Sequence, residues 1–475
     1  MQSNVKQMNS LDDRSMSELE EESLLTPEAE SGKPKPVLGL ENGHTFRVSP
    51  SFGYKNLWNG VYKSIKTVVF SNKLNLLMPF GPLAIMVHKM TGHKGWVFFL
   101  SMLGITPLAE RLGYATEQVA FYTGATVGGL LNVTFGNSTE MIVSIYALKS
   151  GMTRVVQLSL LGSILSNMLL VLGCAFFCGG LVIRNKEQRF DKASAVVNSG
   201  LLLMAVMSLL FPSVLLYTHT EVHFGKSELA LSRFSSCIML VAYAAFLVFQ
   251  LKGQQKTYFS ATEEENQAMD AADNGDDGNE EPQISKWESI IWLSILTAWI
   301  SILSEHLVDA IQGASIAWNI PISFISVILL PIIGNATEHA SAIIFAMKDK
   351  LDITLGVTIG SSTQISMFGI PFCVVIGWIM GCPMDLNFQI FETATLFITV
   401  IVVAFFLQEG TSNYFKGLLL ILCYLIVAAS FLVHEDASPE GGKLSQLSIN
   451  SLLHTIFSSI KVKTLEEVRK IFNII

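Results

Sequence analysis

The feature of this sequence that most limits its fold is a series of long apolar segments, which begins near Leu74 and continues close to the end of the chain. Half of the 475 residues are hydrophobic and only 15% are charged, a balance that is not typical of a soluble protein. Each segment is long enough, or nearly so, to cross a hydrocarbon core about 30 Å thick. The eleven segments are 76–90, 96–113, 118–148, 155–183, 193–217, 229–251, 287–311, 316–347, 353–380, 388–407 and 415–433. The sequence therefore predicts an all-α polytopic membrane protein with 11 transmembrane helices.

A short polar motif occurs twice within these segments. It is Gly-Asn-Ser-Thr-Glu at Gly136–Glu140 and Gly-Asn-Ala-Thr-Glu at Gly334–Glu338, an offset of 198 residues. The same offset relates Gly162-Ser163 to Gly360-Ser361. If the first segment stands apart, two blocks of five crossings remain, and an odd number of crossings inverts the second block in the membrane. We therefore predict one additional N-terminal helix plus two inverted five-helix repeats.

This duplication divides the chain into six parts. They are a disordered cytosolic tail (1–73), an additional first transmembrane helix (74–92), a first five-helix repeat (93–251), an acidic cytosolic linker (252–286), a second five-helix repeat (287–433) and a C-terminal tail (434–475). Lys and Arg are more frequent near the helix ends on the side of the N terminus, which predicts a cytosolic N terminus. The C-terminal tail ends in a basic amphipathic stretch, which either lies on the membrane or is an appended segment of no consequence.

The two motifs each place a carboxylate, Glu140 or Glu338, deep inside an apolar segment. A carboxylate at the centre of a membrane helix costs about 2.5 to 3.5 kcal/mol on insertion scales, so a functional reason is expected. Pairing with a basic group from elsewhere is the structural alternative, although no Lys or Arg lies near either residue in its own segment. We interpret both glutamates as cation ligands.

The motif residues Gly136, Asn137, Gly334 and Asn335 are expected to share a helix face with the two glutamates, because they precede them by three or four positions. Glycine there would let a partner backbone approach and leave carbonyls free. The following segments add a polar stripe on one face, which comprises Ser163, Ser166 and Asn167 in the first block and Ser361 and Gln364 in the second. Such an all-oxygen set favours Ca²⁺, and Mn²⁺ also fits.

The same carboxylates predict coupling to protons. One divalent cation neutralises two ionised glutamates, whereas burial and mutual repulsion favour protonation when the cation is absent. Cation and protons then compete for one site, which gives exchange. His339, beside Glu338, either relays protons or is a hydrogen-bonded packing group. Three further acidic residues either line an access path or reach the membrane interface, and these are Glu110, Glu305 and Glu392.

Three stretches resemble one known family. They are GNATEHA at 334–340, LDITLGVTIGSSTQISMF at 351–368 and TPLAERLGYATEQVA at 106–120. They are closely similar to Ca²⁺/H⁺ exchangers of the cation/proton exchanger family, plant vacuolar type, within the Ca²⁺/cation antiporter superfamily. The resemblance implies a transporter rather than an enzyme, with an extra first helix and two inverted five-helix repeats. It also implies a vacuolar or other endomembrane location.

The resemblance further implies roles for individual residues. The cation-binding motif positions correspond to Asn137, Glu140, Asn335 and Glu338, and the polar positions on the next helices correspond to Ser163, Ser361 and Gln364. His339 corresponds to the histidine of proton-coupled members. The expected partners are Ca²⁺ and H⁺ as transported ions and membrane lipid, with no cofactor and no nucleic acid. A regulatory contact from the N-terminal tail and a homo- or hetero-oligomer stay open, and the C-terminal tail departs from the family pattern.

Other classes remain open at this stage. A Na⁺-coupled or Mn²⁺-preferring exchanger would share the fold, although a Na⁺-coupled member is expected to carry more dedicated Na⁺ ligands. An ion channel would need a pore loop or a ring of identical subunits, and no such loop is visible in the sequence. An intramembrane enzyme could use the paired carboxylates as acid and base.

Overall fold

A computed structural model describes residues 54–434, except for 124–126, 129–130, 132–133, 184–186, 219–225 and 269–282. The expectations for the tail before residue 54 and for the C-terminal tail after residue 434 lie outside the described residues. Backbone contacts separate residues 1–57 from residues 58–475, and the packing described below belongs to the second part.

Helices account for nearly all of the described residues. In chain order they are α1 (Tyr54–Val69), α2 (Phe80–Met90), α3 (Lys94–Phe121), α4 (Ser138–Lys149), α5 (Thr153–Val182), α6 (Lys192–Thr218), α7 (Lys226–Ala268), α8 (Lys286–Trp318), α9 (Ile322–Gly334), α10 (Ala336–Met347), α11 (Leu351–Met380), α12 (Ile390–Leu407) and α13 (Tyr414–Val433). A short 3₁₀ helix, Lys73–Leu77, precedes α2. The two-residue strands β1 (Gln188–Arg189) and β2 (Thr411–Ser412) pair antiparallel, with Gln188 opposite Ser412.

Two hydrophobic clusters organise the packing. Helices α3 and α8 pack along each other around a cluster of their own, which includes Phe98, Leu112 and Leu303. A larger cluster joins α5 to the helices around it, which include α6, α10, α11, α12 and α13. Because α5 is surrounded on most sides, it is the most buried of the candidate spanning helices. The α3–α8 pair therefore has a smaller cluster, which also includes Val155 of α5 and Leu330 of α9 and so connects the pair to the larger bundle.

Close packing of α5 against α9 depends on one glycine. A Cβ atom at Gly162 would overlap the backbone of Val327, so a larger residue cannot occupy this position without moving a helix. This contact lies one residue before Ser163 on α5. It holds the two halves of the sequence together close to the motifs.

The helix boundaries correct part of the sequence prediction. A break was expected between segments 96–113 and 118–148, but α3 is continuous from Lys94 to Phe121. The buried residues Leu108, Leu112, Ala115 and Val119 recur at intervals of three or four, so the helical stripe continues through Gly113. A single glycine lowers helix propensity without ending a helix that tertiary packing supports.

The N-terminal boundary also differs from the prediction. Residues 1–73 were expected to be disordered, but helix α1 begins at Tyr54. Ser64 and Val68, one turn apart, are buried, while Lys63 and Lys66 are exposed. Because lysines and other polar residues alternate with its apolar positions, a search for long apolar segments missed this amphipathic helix.

Among the described residues, seven helices are long and apolar enough to cross a membrane, or up to nine if each of two bent helix pairs is one span. The two pairs are Tyr62–Val69 with Lys73–Met90, bent by 92°, and α9 with α10, bent by 60°. Helices α3 and α4 are not in this count, so the number of eleven crossings stays a prediction.

Candidate cation site

Each motif lies at a helix break rather than within a continuous helix. Asn137 precedes α4 and Asn335 separates α9 from α10, with backbone φ angles of −105° and −108°. Asn side chains compete for backbone hydrogen bonds, and the preceding glycine adds backbone freedom, so both favour an interruption here. Glu140 and Glu338 consequently lie in the first turns of α4 and α10. The continuous helix face expected from the sequence is thus wrong, but the residues still converge.

Both motif copies line a single cavity of about 720 Å³. Its wall includes Gly136, Asn137, Glu140, Gly334, Asn335 and Glu338. Helix α3 and the segment before α2 complete the wall with residues that include Glu110, Tyr114 and Asn72. Six of the predicted site residues are therefore within one space, although the two copies are 198 positions apart in the chain.

The two repeats are in direct contact through Glu140. The Asn335 side-chain amide donates a hydrogen bond to Glu140 Oε1 over 2.5 Å, and the Ser163 hydroxyl donates to the same oxygen. One carboxylate oxygen thus receives a donor from its own repeat and another from the opposite repeat. This arrangement orients the Glu140 side chain before any cation binds.

Several polar atoms at the site have no hydrogen-bond partner among the described residues. They are Glu140 Oε2, Glu338 Oε2 and both side-chain atoms of Asn137, and all are buried. Buried polar atoms are normally satisfied, so these atoms are available to a polar or cationic ligand. None of the ion pairs between described residues includes Glu140 or Glu338. The alternative in which hidden basic groups neutralise the two glutamates is therefore not supported.

The two glycines of the motifs face open space. A Cβ at Gly136 or Gly334 would meet no heavy atom of the described chain within 4 Å beyond its own helix and neighbours. The close backbone approach expected at these positions is not found among the described residues. Both glycines instead line the cavity, where a side chain would occupy the space beside Glu140 and Glu338.

Four predicted site residues are not at the cavity wall of the described chain, and one of them, Ser163, still reaches the site through its hydrogen bond to Glu140. Ser361 is half-buried and Gln364 is buried on α11, and neither lines the cavity. His339 is buried and its Nε2 lies 3.2 Å from Asn167 Oδ1 of α5. That contact also links the two repeats, but neither of its residues lines the cavity.

The sequence prediction did not identify how the mouth of the cavity is built. Glu110 lines the cavity, forms an ion pair with Arg111 and accepts a hydrogen bond of 3.2 Å from Asn72. Thr106 donates to the Ile333 carbonyl over 3.2 Å, just before the break in the second motif. Thr106, Glu110 and Arg111 all lie in the stretch TPLAERLGYATEQVA, so polar residues within an apolar segment were the available signal.

The two other acidic candidates have different surroundings. Glu392 is fully buried and paired with Arg154, and Glu305 is exposed on α8. Neither lines the cavity among the described residues. Of the three access-path candidates, Glu110 alone lies at the cavity wall.

Two halves of a chain that bring broken helices and polar ligand atoms together in one cavity are typical of secondary transporters. The model of the sodium/calcium exchanger protein family matches residues 93–252 and 288–433, which together make up more than half of the chain. These two matched stretches correspond closely to the two predicted repeats.

Individual relatives are much more similar. The chain is 71% identical over 421 residues to vacuolar cation/proton exchanger 5 of Arabidopsis thaliana, covering 89% of this chain and 95% of that protein. It is 65% identical over 419 residues to vacuolar cation/proton exchanger 2 of Oryza sativa subsp. japonica, covering 88% of this chain and 94% of that protein.

Solved structures share the fold. The Ca²⁺/H⁺ antiporter protein YfkE matches with a TM-score of 0.62 and 33% identity, covering 76% of this chain and 99% of that chain. The H⁺/Ca²⁺ exchanger CAX has a TM-score of 0.56 at 13% identity, covering 89% of this chain and all of that chain, which supports the fold alone. The predicted fold class, a polytopic helical membrane protein of the exchanger type, is confirmed. The chain belongs to the sodium/calcium exchanger protein family and, within it, to the cation/proton exchangers.

Proposed function

We propose that this protein is a secondary active antiporter that moves Ca²⁺ out of the cytosol into the vacuole in exchange for H⁺. The observation that carries the proposal is the convergence of Glu140 and Glu338 in one cavity, with unsatisfied oxygens beside them. Relatives at 65–71% identity are vacuolar cation/proton exchangers, and YfkE is a Ca²⁺/H⁺ antiporter. The membrane location and the transporter class follow from this family.

The chemistry of the site supports a hard divalent cation as the transported substrate. Two carboxylates and the Asn137 and Asn335 side chains supply oxygen ligands, and Ca²⁺ prefers six to eight oxygens at roughly 2.3 to 2.6 Å. Water in the cavity can complete the shell. Mn²⁺ accepts the same ligands, so competition between the two ions in transport tests which one the site prefers.

The buried position of the carboxylates supports proton coupling. Two ionised glutamates without a cation would repel each other in an environment that disfavours charge, and either protons or one divalent cation relieves this. Alternating access of a site that is always neutralised then gives exchange rather than leak. We assign this coupling to Glu140 and Glu338, with Ser163 as the neighbour that orients Glu140.

The role of His339 is a separate proposal. A substitution to Gln keeps a hydrogen-bonding side chain next to Asn167 and removes the titrating ring. If the ring transfers protons, we expect H339Q to flatten the dependence of uptake on the pH gradient. If the pH dependence of H339Q matches that of the unmodified protein, His339 is a packing group.

The test of the function is uptake of radioactive Ca²⁺ by sealed vesicles that contain the purified protein. We expect uptake to require an acid-inside pH gradient, to collapse with a protonophore and to ignore a Na⁺ gradient. Uptake driven by Na⁺ would favour a Na⁺-coupled exchanger, and uptake that is indifferent to pH would overturn proton coupling.

A further inference from the structure

The segment before helix α2 turns sharply relative to that helix. The helical stretch Tyr62–Val69 is bent by 92° from Lys73–Met90. If the second stretch crosses the membrane, the first must run roughly parallel to the membrane surface. We refer to residues 62–76, which comprise this first stretch, the bend and the first residues of the second stretch, as the interfacial segment.

The outer surface of the interfacial segment combines apolar and basic side chains. Phe70 and Leu76 are 75% and 83% exposed, and Tyr62 is also exposed. Lys63, Lys66 and Lys73 are exposed beside them. No Asp or Glu occurs in the sequence between Glu41 and Glu110, and Glu110, which contacts Asn72, is itself paired with Arg111. Aromatic and apolar residues mixed with Lys are typical of helices that lie at the headgroup level of a bilayer.

The inner surface of the segment is attached to both helices of the α3–α8 pair. Trp292 of α8 donates a hydrogen bond of 2.9 Å to the Ser64 hydroxyl, and Arg111 of α3 donates one of 2.7 Å to the Ser71 hydroxyl. Asn72 donates to Glu110 over 3.2 Å. These contacts connect the outer surface of the segment to α3, which lines the cavity, and to α8, which packs against α3.

The end of the segment also belongs to the cavity itself. Asn72 and Leu74 line the same space as Glu140 and Glu338. A movement of the segment would therefore change the width of the cavity mouth. A ligand that binds the outer surface of the segment would therefore also influence the shape of the cavity.

We propose that the interfacial segment is a binding site for anionic phospholipid headgroups, with Lys63, Lys66 and Lys73 as the cationic groups and Tyr62, Phe70 and Leu76 as the apolar anchors. The charge and the exposed apolar side chains commit the site to lipid rather than to a soluble anion, because a free anion would leave the apolar side chains uncovered. The consequence is that anionic lipid supports transport through the cavity mouth, and this consequence rests on the proposed function.

The first test counts bound lipids without measuring transport. Native mass spectrometry of the purified full chain in detergent micelles, titrated with phosphatidylserine or phosphatidylcholine, gives the occupancy of each lipid. We expect phosphatidylserine to bind more tightly, and the triple variant K63Q/K66Q/K73Q to lower its affinity by about 100-fold, because each Lys near an anionic surface contributes about a factor of five.

A matched triple variant serves as the control. K192Q/K348Q/K350Q removes the same charge from exposed positions outside the segment, and we expect it to lower phosphatidylserine affinity by less than about threefold. Equal losses in the two triple variants, or equal binding of the two lipids by the unmodified protein, would overturn the proposal.

The second test measures the consequence for transport. Uptake of Ca²⁺ is compared between vesicles of phosphatidylcholine alone and vesicles that also contain phosphatidylserine. We expect phosphatidylserine to raise uptake by the unmodified protein and by the control variant, but not by K63Q/K66Q/K73Q. If no variant transports Ca²⁺ in either lipid, the exchange proposal fails while the occupancy measurement still decides the lipid site.

Discussion

The two glutamates that the repeats place in the same cavity differ in their surroundings. Glu140 receives hydrogen bonds from Ser163 and Asn335, whereas Glu338 Oε2 is buried without a partner among the described residues. The two asparagines differ in the opposite sense, because Asn335 is bonded to Glu140 and both side-chain atoms of Asn137 are unsatisfied. The duplicated motif therefore forms one carboxylate that is oriented by two hydrogen bonds and one whose Oε2 has no hydrogen bond among the described residues.

The helix that follows each motif offers a physical reason for this difference. In α5 the stretch before Ser163 is α-helical, but in α11 a π-helical stretch, Gly356–Gly360, directly precedes Ser361. A π turn holds more residues than an α turn, so it changes the direction of the side chains that follow. Ser163 donates a hydrogen bond to Glu140, whereas Glu338 Oε2 receives none from Ser361 among the described residues. The same sequence offset thus does not produce the same contact.

The largest expected effect on transport is the same for the two glutamates, although their surroundings differ. E140Q and E338Q each remove one of the two charges that a divalent cation neutralises, so we expect both to lower proton-driven Ca²⁺ uptake by more than about 100-fold, as for loss of a buried charged ligand. The exposed Glu409 supplies the control E409Q, which should transport normally. If E338Q retained most of its uptake, the unsatisfied carboxylate would not be a cation ligand.

The two repeats also differ in the contacts at the starts of α5 and α11. Arg154, at the start of α5, pairs with the fully buried Glu392, and its Nη1 is 3.2 Å from Glu392 Oε2. The equivalent position in the second repeat, 198 residues later, is Asp352, which accepts a hydrogen bond of 2.7 Å from the backbone of Asp191. The starts of α5 and α11 are thus held by different interactions.

This contrast predicts a difference in stability. R154Q leaves Glu392 without its paired cation, and we expect it to lower the free energy of unfolding by about 3 kcal/mol, the lower end for a broken buried pair because Arg154 is a third exposed. D352N keeps an acceptor for the Asp191 backbone and should cost about 0.5 kcal/mol. The apparent Tm of both variants in detergent, followed by tryptophan fluorescence, checks the order. Equal losses would remove the contrast between the starts of α5 and α11.

A smaller functional effect is expected at the two serines. S163A removes a donor to Glu140, so we expect the KM for Ca²⁺ to rise about tenfold, equivalent to one hydrogen bond to a charged group. S361A should change the KM by less than about twofold, because Ser361 donates no hydrogen bond to Glu338 Oε2 among the described residues. If S163A and S361A raise the KM equally, Ser361 contacts the cation site during transport. The difference between the two serines would then be confined to the conformation described here.

These residues also indicate how far the sequence alone was informative. The apolar segments and the offset of 198 residues predicted the fold class and brought Glu140 and Glu338 together, because burying a carboxylate in lipid is too costly without a function. The roles of individual ligands stay predictions. What could not be predicted depends on local backbone geometry, since the break at Asn335 and the π-helical stretch before Ser361 are set by packing between helices. Likewise, α1 carries too many lysines for a spanning helix, so it was interpreted as part of a tail.

The smallest expected effect concerns pH and lies outside the spanning segments. Asp385, in the loop between α11 and α12, accepts a hydrogen bond of 2.9 Å from Gln157, and burial raises the pKa of its carboxyl group above the ordinary value even though its hydrogen bonds and Arg154 oppose the shift. The folded protein therefore binds a proton at Asp385 more tightly than the unfolded chain does. In the window between the unfolded and folded pKa values, stability rises as the pH falls.

D385N isolates this contribution, because Asn keeps an oxygen acceptor for Gln157 and for the Asn387 backbone but does not titrate. We expect the apparent Tm of the unmodified protein, measured relative to that of D385N, to rise by about 2 °C as the pH falls through this window. The second repeat contributes Asp385 and the first contributes Gln157, so the measurement examines a contact between repeats that is independent of the cation site. A difference in Tm that does not change with pH would mean that Asp385 is as well solvated in the folded protein as in the unfolded chain. The link between Gln157 and Asp385 would then hold the repeats together at any pH, without a contribution from proton binding.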